Sequence, residues 1–164
     1  TSNGEGCGHA LPGLGIHVNN FLGEDDINPD GFHRLAPGTR MSTMMSPSIV
    51  LAGDRPCFAL GSGGSNRIRS AILQALLNLL LYRQPIDEAV NAARLHVEGC
   101  RLWFEHPGLG PGAAAALQAA WPGATRFDSK SMFFGGVNCV AMLDGRPCGA
   151  GDRRRGGVVM IAED

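Results

Sequence analysis

The sequence has no excess of charge of either sign. Fifteen acidic and fourteen basic side chains give its 164 residues a formal net charge of −1. The basic residues are scattered, apart from Arg153, Arg154 and Arg155 near the end. Because nucleic-acid-binding domains usually present a concentrated basic face, we expect no nucleic-acid partner.

The sequence also has no long hydrophobic run. Its longest apolar stretch, residues 75–81, is interrupted by Asn78 and falls well short of the ~20 residues that a membrane-spanning helix needs. We therefore expect no transmembrane segment in these residues. With 44% hydrophobic residues the chain can bury an ordinary core. The sequence predicts a single domain over residues 1–164, rich in loops because it contains 24 glycines and 10 prolines.

Closely spaced cysteine pairs are missing as well. The five cysteines are odd in number and widely separated, at positions 7, 57, 100, 139 and 148. Cys7 and His9 could supply two metal ligands, but no second pair accompanies them, and a structural zinc ion needs four ligands. We therefore predict neither a disulfide framework nor a metal site, and no cofactor.

The first half of the chain combines loops with a hairpin and a long helix. We expect mostly ordered loop at the start, with one strand over residues 15–22, where side chains alternate in polarity. Residues 49–51 and 57–60 are predicted to pair as a hairpin around Gly53 and Asp54. Apolar residues at helical spacing predict a helix over residues 65–83, capped by Ser65 or Asn66.

The second half is predicted to contain two more helices and two more strand pairs. In chain order these are a helix over residues 86–93, paired strands over residues 94–99 and 101–105, a helix over residues 111–121, and two closing strands over residues 137–143 and 157–162 around a turn at Asp144 and Gly145.

The stretch GSGGSNRI, residues 61–68, stands where the predicted hairpin meets the long helix. Its glycines fit neither the GxxxxGK[ST] pattern of phosphate-binding loops nor the GxGxxG pattern of dinucleotide sites. Two interpretations remain. The stretch is a tight turn in which glycine tolerates a positive φ, or it presents backbone N–H groups at a helix start to a developing oxyanion. The second interpretation predicts a nucleophile nearby in space.

Six blocks of sequence carry a family resemblance. They are TSNGEG, NNFLGEDDINP, PGTRMSTMMSPSIVL, GSGGSNRIRSAILQALLN, NAARLHVEG and GAGDRRRGG. In this order, over nearly the whole chain, they resemble the small subunit of gamma-glutamyltransferases, also called gamma-glutamyl transpeptidases.

The resemblance implies an α+β fold, the αββα sandwich of N-terminal-nucleophile hydrolases, of which this chain would be the small-subunit portion. It implies an enzyme that moves the gamma-glutamyl group of glutathione and its conjugates onto a threonine, and then to water, an amino acid or a peptide. It also implies an autoprocessed precursor, a large subunit from the same precursor as partner, no cofactor, and a periplasmic or extracellular location.

The family's nucleophile lies in a segment resembling Thr-Thr-His-x-Ser, upstream of the threonine that matches Thr1. No such segment occurs in residues 1–164. We therefore expect the chain to be N-terminally truncated relative to the family's small subunit, and the isolated chain to be inactive.

By the same resemblance, residues near the start contact the nucleophile and the substrate. Thr1 matches the threonine whose hydroxyl hydrogen-bonds the nucleophile, and Asn3 matches an asparagine that holds the substrate's carboxylate or amine end. Glu24 matches an acidic residue that binds the substrate ammonium group through a charge-assisted bond. Phe21 stands where the family has Gln or Glu, and it cannot bind an ammonium group in that way; Asp25 or Asp26 could substitute.

Two further segments match binding positions. Thr43 and Met44 align with two serines that bind the substrate's α-carboxylate, and Ser42 supplies the second hydroxyl if the backbone shifts by one residue. Gly64 and Ser65 align with the two oxyanion-hole glycines, and Gly63, also assigned to substrate binding, replaces a proline. Since the donors are backbone N–H groups, Ser65 can serve if its φ and ψ are allowed.

The resemblance leaves alternatives open. A related amidase or acylase, whose substrate lacks the α-amine, is favoured by Phe21. A non-catalytic domain that has lost the nucleophile is the other alternative. We interpret Arg67, Arg94, His96 and Asp152 as structural ion pairs or caps.

Overall fold

The computed structural model describes residues 6–162, which fall into two compact units, Thr1–Met45 and Ser46–Asp164. The described part of the first unit is mostly loop, with 3₁₀ turns at Phe21–Gly23 and Asp25–Ile27. The strand predicted over residues 15–22 is wrong, because this segment forms only an isolated bridge between Ala10 and His17.

The strands and α-helices that residues 6–162 form all lie in the second unit. In chain order they are β1 (Ser48–Ala52), β2 (Arg55–Gly63), α1 (Arg67–Leu76), α2 (Ile86–Asn91), β3 (Leu95–Glu98), β4 (Arg101–Glu105), α3 (Ala113–Ala120), β5 (Thr125–Phe127), β6 (Gly136–Leu143) and β7 (Arg146–Gly151). A four-stranded antiparallel sheet has the order β1-β2-β6-β7, and a three-stranded sheet has the order β3-β4-β5. The predicted α+β class is confirmed.

Two of the three predicted pairings of neighbouring strands, β1 with β2 and β3 with β4, are confirmed. The long helix begins at Arg67, two residues later than predicted, and after Leu76 it continues as a π-helical turn over Leu77–Leu81. Asn66 occupies the N-cap position but makes no capping hydrogen bond. Its side-chain amide donates to Glu98 instead, at 2.8 Å, which ties the helix start to β3.

The closing strand predicted over residues 157–162 is wrong. Asp144 and Gly145 both have left-handed φ values, 50° and 75°, as a two-residue hairpin turn requires. Because such a turn reverses the chain at once, Leu143 pairs directly with Arg146. The strand that follows the turn is therefore β7.

One face of the four-stranded sheet is buried. Leu60, Cys139 and Ala150 are neighbours on this face and are at most 5% exposed. Four residues of α1 are also buried, namely Ile68, Ala71, Ile72 and Ala75. Their spacing places them on one side of the helix, and α1 packs on β2 and β6, so the start of α1 is fixed relative to the end of β2.

No helix among residues 6–162 is long and apolar enough to cross a membrane.

Candidate functional site

The glycine stretch forms the connection between β2 and α1. Gly63 ends the strand, Gly64 has φ +124° and Ser65 has φ +53°. The carbonyl groups of Gly64 and Ser65 accept hydrogen bonds from the N–H groups of Arg67 and Ile68, at 3.1 and 3.0 Å. The stretch is thus a sharp turn whose carbonyl groups join the first turn of the helix.

Among residues 6–162, Ser65 is one of four non-glycine residues with a positive φ. The left-handed region costs a non-glycine residue about 1–2 kcal/mol, and such strained positions cluster at functional sites. With φ +53° the backbone of Ser65 has a conformation that is typical of glycine. This is the condition under which Ser65 could replace the glycine of the family pattern.

Gly64 lies directly against Gly135, which precedes β6. A Cβ on Gly64 would come within 2.5 Å of the Gly135 Cα atom. A Cβ on Gly135 would come within 2.7 Å of the Gly63 carbonyl oxygen and 2.9 Å of the Ser62 hydroxyl oxygen. The two backbones therefore contact each other only because both residues are glycine.

Gly135 follows a 3₁₀ turn, Met132–Phe134, that is held by buried charges. The Ser131 hydroxyl accepts a hydrogen bond from the Phe133 N–H at 3.2 Å and caps this turn. The Ser131 N–H donates to Glu105 at 2.9 Å, and the Arg94 guanidinium donates to the Phe134 carbonyl at 3.1 Å. The position of Gly135, and with it the packing on Gly64, depends on these charged side chains.

Four buried charged residues form one network: Arg94, Glu105, Asp152 and Arg154. Arg94 forms an ion pair with Asp152 at 2.7 Å, and both side chains are at most 3% exposed. Arg154 pairs with Glu105 and, at 3.2 Å, with Asp152. Asp152 also accepts the Val137 N–H at 3.0 Å. These contacts are those of structural ion pairs, as interpreted from the sequence for Arg94 and Asp152.

The environment shifts the pKa values of these groups in different directions. Burial alone would raise the pKa of Asp152, but Arg94, Arg154 and two backbone N–H donors lower it below its ordinary value. Burial alone would lower the pKa of Arg154, but hydrogen bonding to and the charge of Glu105 raise it. Burial lowers the pKa of Arg94. Asp152 is therefore held as a carboxylate between two guanidinium groups.

The other two residues interpreted as structural also have defined contacts. The His96 ring lies 2.6 Å from the Ser70 hydroxyl through Nδ1. Arg67 donates to the Phe133 carbonyl at 3.2 Å, and its guanidinium lies over the Phe133 ring at 4.8 Å from the centroid. Both residues thus connect α1 to the neighbouring chain segments.

In the first unit, Glu24 lies at the junction of the two 3₁₀ turns and is half-buried. The side-chain amide of Asn28 donates to the carbonyl groups of Phe21 and Glu24, at 2.7 and 2.8 Å. Asn28 is only 7% exposed. It therefore fixes the backbone that carries Glu24, a role that the sequence did not predict.

Ser42 and Thr43 are exposed, whereas Met44 is 5% exposed. The Thr43 Oγ1 atom accepts the Met45 N–H at 3.1 Å. A hydroxyl that accepts one bond can still donate its own proton. Thr43 can therefore donate a hydrogen bond to a carboxylate, whereas Met44 has no donor.

Thr1 and Asn3 lie outside the described residues, so their predicted roles stay predictions. Of the remaining predicted site residues, Gly63 ends β2 and Gly64 and Ser65 form the turn after it, all in the second unit. Glu24, Ser42 and Thr43 belong to the first unit. Within residues 6–162 no three His, Cys, Asp or Glu side chains are placed to hold a metal ion.

Gly135 was not predicted as part of the site. The Gly135-Gly136 pair is visible in the sequence, but nothing local shows that Gly135 lies against Gly64, which stands 71 positions earlier in the chain. A contact of this kind depends on the pairing of β2 with β6.

Comparison with known proteins gives a family match over nearly the whole chain. The family model described as Gamma-glutamyltranspeptidase matches residues 1–162. The Acylase ACY 1 proenzyme of Pseudomonas sp. (strain SE83) is 36% identical over 141 residues, 85% of this chain and 25% of the relative. The Glutathione hydrolase proenzyme of Bacillus subtilis (strain 168) is 25% identical over 157 residues, 94% of this chain and 26% of the relative. The chain spans about a quarter of the length of these curated relatives.

Among solved structures, the gamma-glutamyltranspeptidase from Pseudomonas nitroreducens complexed with L-DON has a TM-score of 0.74 and 26% sequence identity. The match covers 96% of this chain and 88% of that one. The fold and the family model therefore agree.

Proposed function

The chain belongs to the gamma-glutamyltranspeptidase family, and from this membership we propose that it supplies the oxyanion hole and part of the substrate site of an acyl-transferring enzyme. The enzyme takes the gamma-glutamyl group of glutathione or a gamma-glutamyl conjugate onto a threonine and transfers it to water or an amine. The threonine belongs to the nucleophile segment that the family resemblance places upstream of Thr1.

The observation that carries the proposal is the turn between β2 and α1. Its two residues with positive φ, Gly64 and Ser65, stand at a helix start, and backbone N–H groups at such a place stabilise negative charge. When the nucleophile attacks the scissile carbonyl, the carbonyl oxygen becomes an oxyanion that accepts hydrogen bonds from these N–H groups. The threonine's own α-amine takes the hydroxyl proton during the attack and passes it to the leaving amine. Collapse of the intermediate then releases the amine and leaves the acyl group on the threonine oxygen.

The proposal also assigns residues that bind the acyl donor. In this proposal the Glu24 carboxylate binds the donor's ammonium group, and the Thr43 hydroxyl donates to the donor's α-carboxylate, with Ser42 as the second hydroxyl. Thr1 hydrogen-bonds the nucleophile and Asn3 holds the donor's charged end. The Asn28 contacts support the first assignment, because they fix the Glu24 backbone.

A second candidate function is an acylase whose donor lacks the α-amine. Phe21, which offers no hydrogen-bond acceptor to an ammonium group, supports this candidate. So does the 36% identity over 141 residues to the Acylase ACY 1 proenzyme of Pseudomonas sp. (strain SE83), against 25% over 157 residues to the Glutathione hydrolase proenzyme of Bacillus subtilis (strain 168).

One experiment tests both candidates. The full-length protein that contains this chain is assayed with gamma-glutamyl 4-nitroanilide and with glutaryl 4-nitroanilide, which has the carboxylate but no amine. Faster turnover of the gamma-glutamyl donor supports the first function and faster turnover of the glutaryl donor supports the second. If neither donor releases nitroaniline, the result contradicts both functions and supports the non-catalytic alternative.

We also propose that the large portion of the same precursor covers the exposed face of the four-stranded sheet. Ile49, Val140 and Met142 on this face are 68%, 55% and 52% exposed, and burying such side chains favours association. In the full-length protein, Val140→Lys should prevent stable association of the two subunits in gel filtration, whereas Leu73→Lys, at an exposed position of α1, should not. Normal association of the Val140 variant would contradict this proposal.

A further inference from the structure

The three consecutive arginines near the end of the chain have three different environments. Arg153 is exposed and forms an ion pair with Asp87 at 2.7 Å. The Arg154 side chain is fully buried between Glu105 and Asp152. Arg155 is exposed, and among residues 6–162 no carboxylate lies within ion-pair distance of it.

Arg155 is nevertheless held in place. It ends the 3₁₀ turn Arg153–Arg155, whose N-cap Asp152 accepts the Arg154 N–H at 2.9 Å. The Arg155 N–H donates to the Asp152 carbonyl at 3.1 Å, and its Nη2 donates to the Met132 carbonyl at 3.2 Å. Because Asp152 is part of the buried network, the backbone of Arg155 is anchored.

The Arg155 side chain lies across a surface formed by three glycines. A Cβ on Gly136 would come within 2.8 Å of the Arg155 Cγ atom, so any other residue at 136 would displace the side chain. Gly136 pairs with Gly63 across the sheet. The Arg155 Nη1 and Nη2 atoms lie 3.8 and 3.7 Å from the Cβ positions that side chains on Gly63 and Gly64 would have. The guanidinium thus lies beside the proposed oxyanion hole.

A guanidinium presents five N–H donors in a planar fork that matches a carboxylate. Among the described residues the Arg155 guanidinium donates one hydrogen bond, to the Met132 carbonyl, so it retains N–H donors for a ligand. An exposed cation contributes little by charge alone. Its effect on the reaction therefore requires direct hydrogen bonds to an anionic group.

Solvent exposure indicates which part of the substrate this anionic group belongs to. During acyl transfer the acyl group stays bound to the enzyme, whereas the amine product leaves and water or another amine enters from solvent. A residue that binds the exchanging amine must be accessible from solvent, and within this chain the Arg155 side chain is exposed. Amino acids and peptides that act as leaving or entering amines carry a carboxylate.

On the basis of the function proposed for Gly64 and Ser65, we propose that Arg155 is a specificity-determining residue that binds the carboxylate of the leaving or entering amine. The preferred amines are then amino acids or short peptides with a free C-terminus, and amines without a carboxylate are poorer partners. The carboxylate accepts hydrogen bonds from the guanidinium, and no covalent bond to Arg155 forms.

The test uses the full-length enzyme and the acyl group, gamma-glutamyl or glutaryl, that it accepts as a 4-nitroanilide. Two donors are compared, acyl-cysteinylglycine and its C-terminal amide, which differ only in the leaving amine's carboxylate. Hydrogen bonds to charged groups contribute enough to change an equilibrium about tenfold or more. Arg155→Gln should therefore lower the kcat/KM value for the acid, divided by that for the amide, about tenfold, mainly by raising the KM for the acid. Arg155→Lys should restore part of this preference for the acid.

The matched control is Arg153→Gln, which removes an exposed arginine two positions away and should leave the acid-to-amide ratio unchanged. Equal losses for acid and amide in Arg155→Gln, no loss for either, or the same change in Arg153→Gln would overturn the proposal. A wild-type enzyme that hydrolyses the nitroanilide but does not prefer acid over amide would overturn this role alone. A wild-type enzyme that hydrolyses no acyl anilide would contradict the proposed function as well.

Discussion

Gly64 and Gly135 lie so close together that a Cβ on Gly64 would come within 2.5 Å of the Gly135 Cα atom. The contact joins the turn before α1 to the start of β6. Because Gly135 in turn is held through the Phe134 carbonyl by buried Arg94, the turn that carries the proposed oxyanion donors is positioned by the core of the unit.

The first prediction concerns this contact. Gly64→Ala should lower the free energy of unfolding by about 2–4 kcal/mol, because the new Cβ displaces backbone and φ +124° disfavours any side chain. Chemical denaturation of the folded protein measures the change. Gly61→Ala, in the preceding strand β2, is the control, since a Cβ there meets nothing within 4 Å, and it should change stability by less than about 1 kcal/mol. Similar effects of the two substitutions would contradict the account of the contact.

The second prediction concerns Asp152 and pH. Asp152→Asn should lower the free energy of unfolding by about 3–5 kcal/mol near neutral pH, because it leaves buried guanidinium groups without their partner. In the wild type the folded pKa of Asp152 lies below its ordinary value of 3.8. The stability it contributes is therefore fully present above the unfolded pKa and is lost as pH falls through the folded one.

Thermal unfolding between pH 7 and pH 2 measures this dependence. The difference between wild type and Asp152→Asn should shrink as pH falls below 3.8. A difference that is constant over this range would show that Asp152 is not the titrating group.

The third prediction concerns Glu24 in the full-length enzyme. Glu24→Gln should raise KM for gamma-glutamyl donors more than it lowers kcat, since it removes an interaction made in both the ground state and the transition state. Steady-state kinetics with gamma-glutamyl 4-nitroanilide checks this, and Asp30→Asn, an exposed acidic position nearby, is the control. An unchanged KM would exclude Glu24 from binding the ammonium group.

The parts of the fold that the sequence predicted correctly are those determined by local chemistry. Residues with turn-forming preferences specified the hairpin at Gly53 and Asp54, and helical spacing of apolar residues specified α1. The strand predicted over residues 157–162 failed because apolar character does not show which segment pairs with β6. The Asp144–Gly145 turn determines that partner.

The candidate site was predictable only in part, for a related reason. The resemblance indicated Gly64 and Ser65 directly, and the positive φ of Ser65 agrees with its place at a glycine position. The sequence did not predict the contact of Gly135 with Gly64, the hydrogen bonds of Asn28, or the packing of the Arg155 side chain on Gly136. Each depends on contacts between residues that are brought together by chain folding rather than by sequence spacing.

The central claim is that the backbone N–H of the residue at position 65 stabilises the oxyanion. Two full-length variants test it, Ser65→Gly and a protein with glycolic acid at position 65, which differ only by an ester oxygen in place of that N–H. Glycine at position 65 adds backbone flexibility but relieves the left-handed strain at Ser65, and the two effects offset each other. The free energy of unfolding of Ser65→Gly should therefore lie within about 1 kcal/mol of the wild-type value. The kcat for the accepted acyl 4-nitroanilide should be about a hundredfold to a thousandfold lower for the glycolate variant than for Ser65→Gly, with both variants folded and processed at the assay temperature. Equal kcat values in two folded, processed enzymes would contradict the oxyanion-hole assignment.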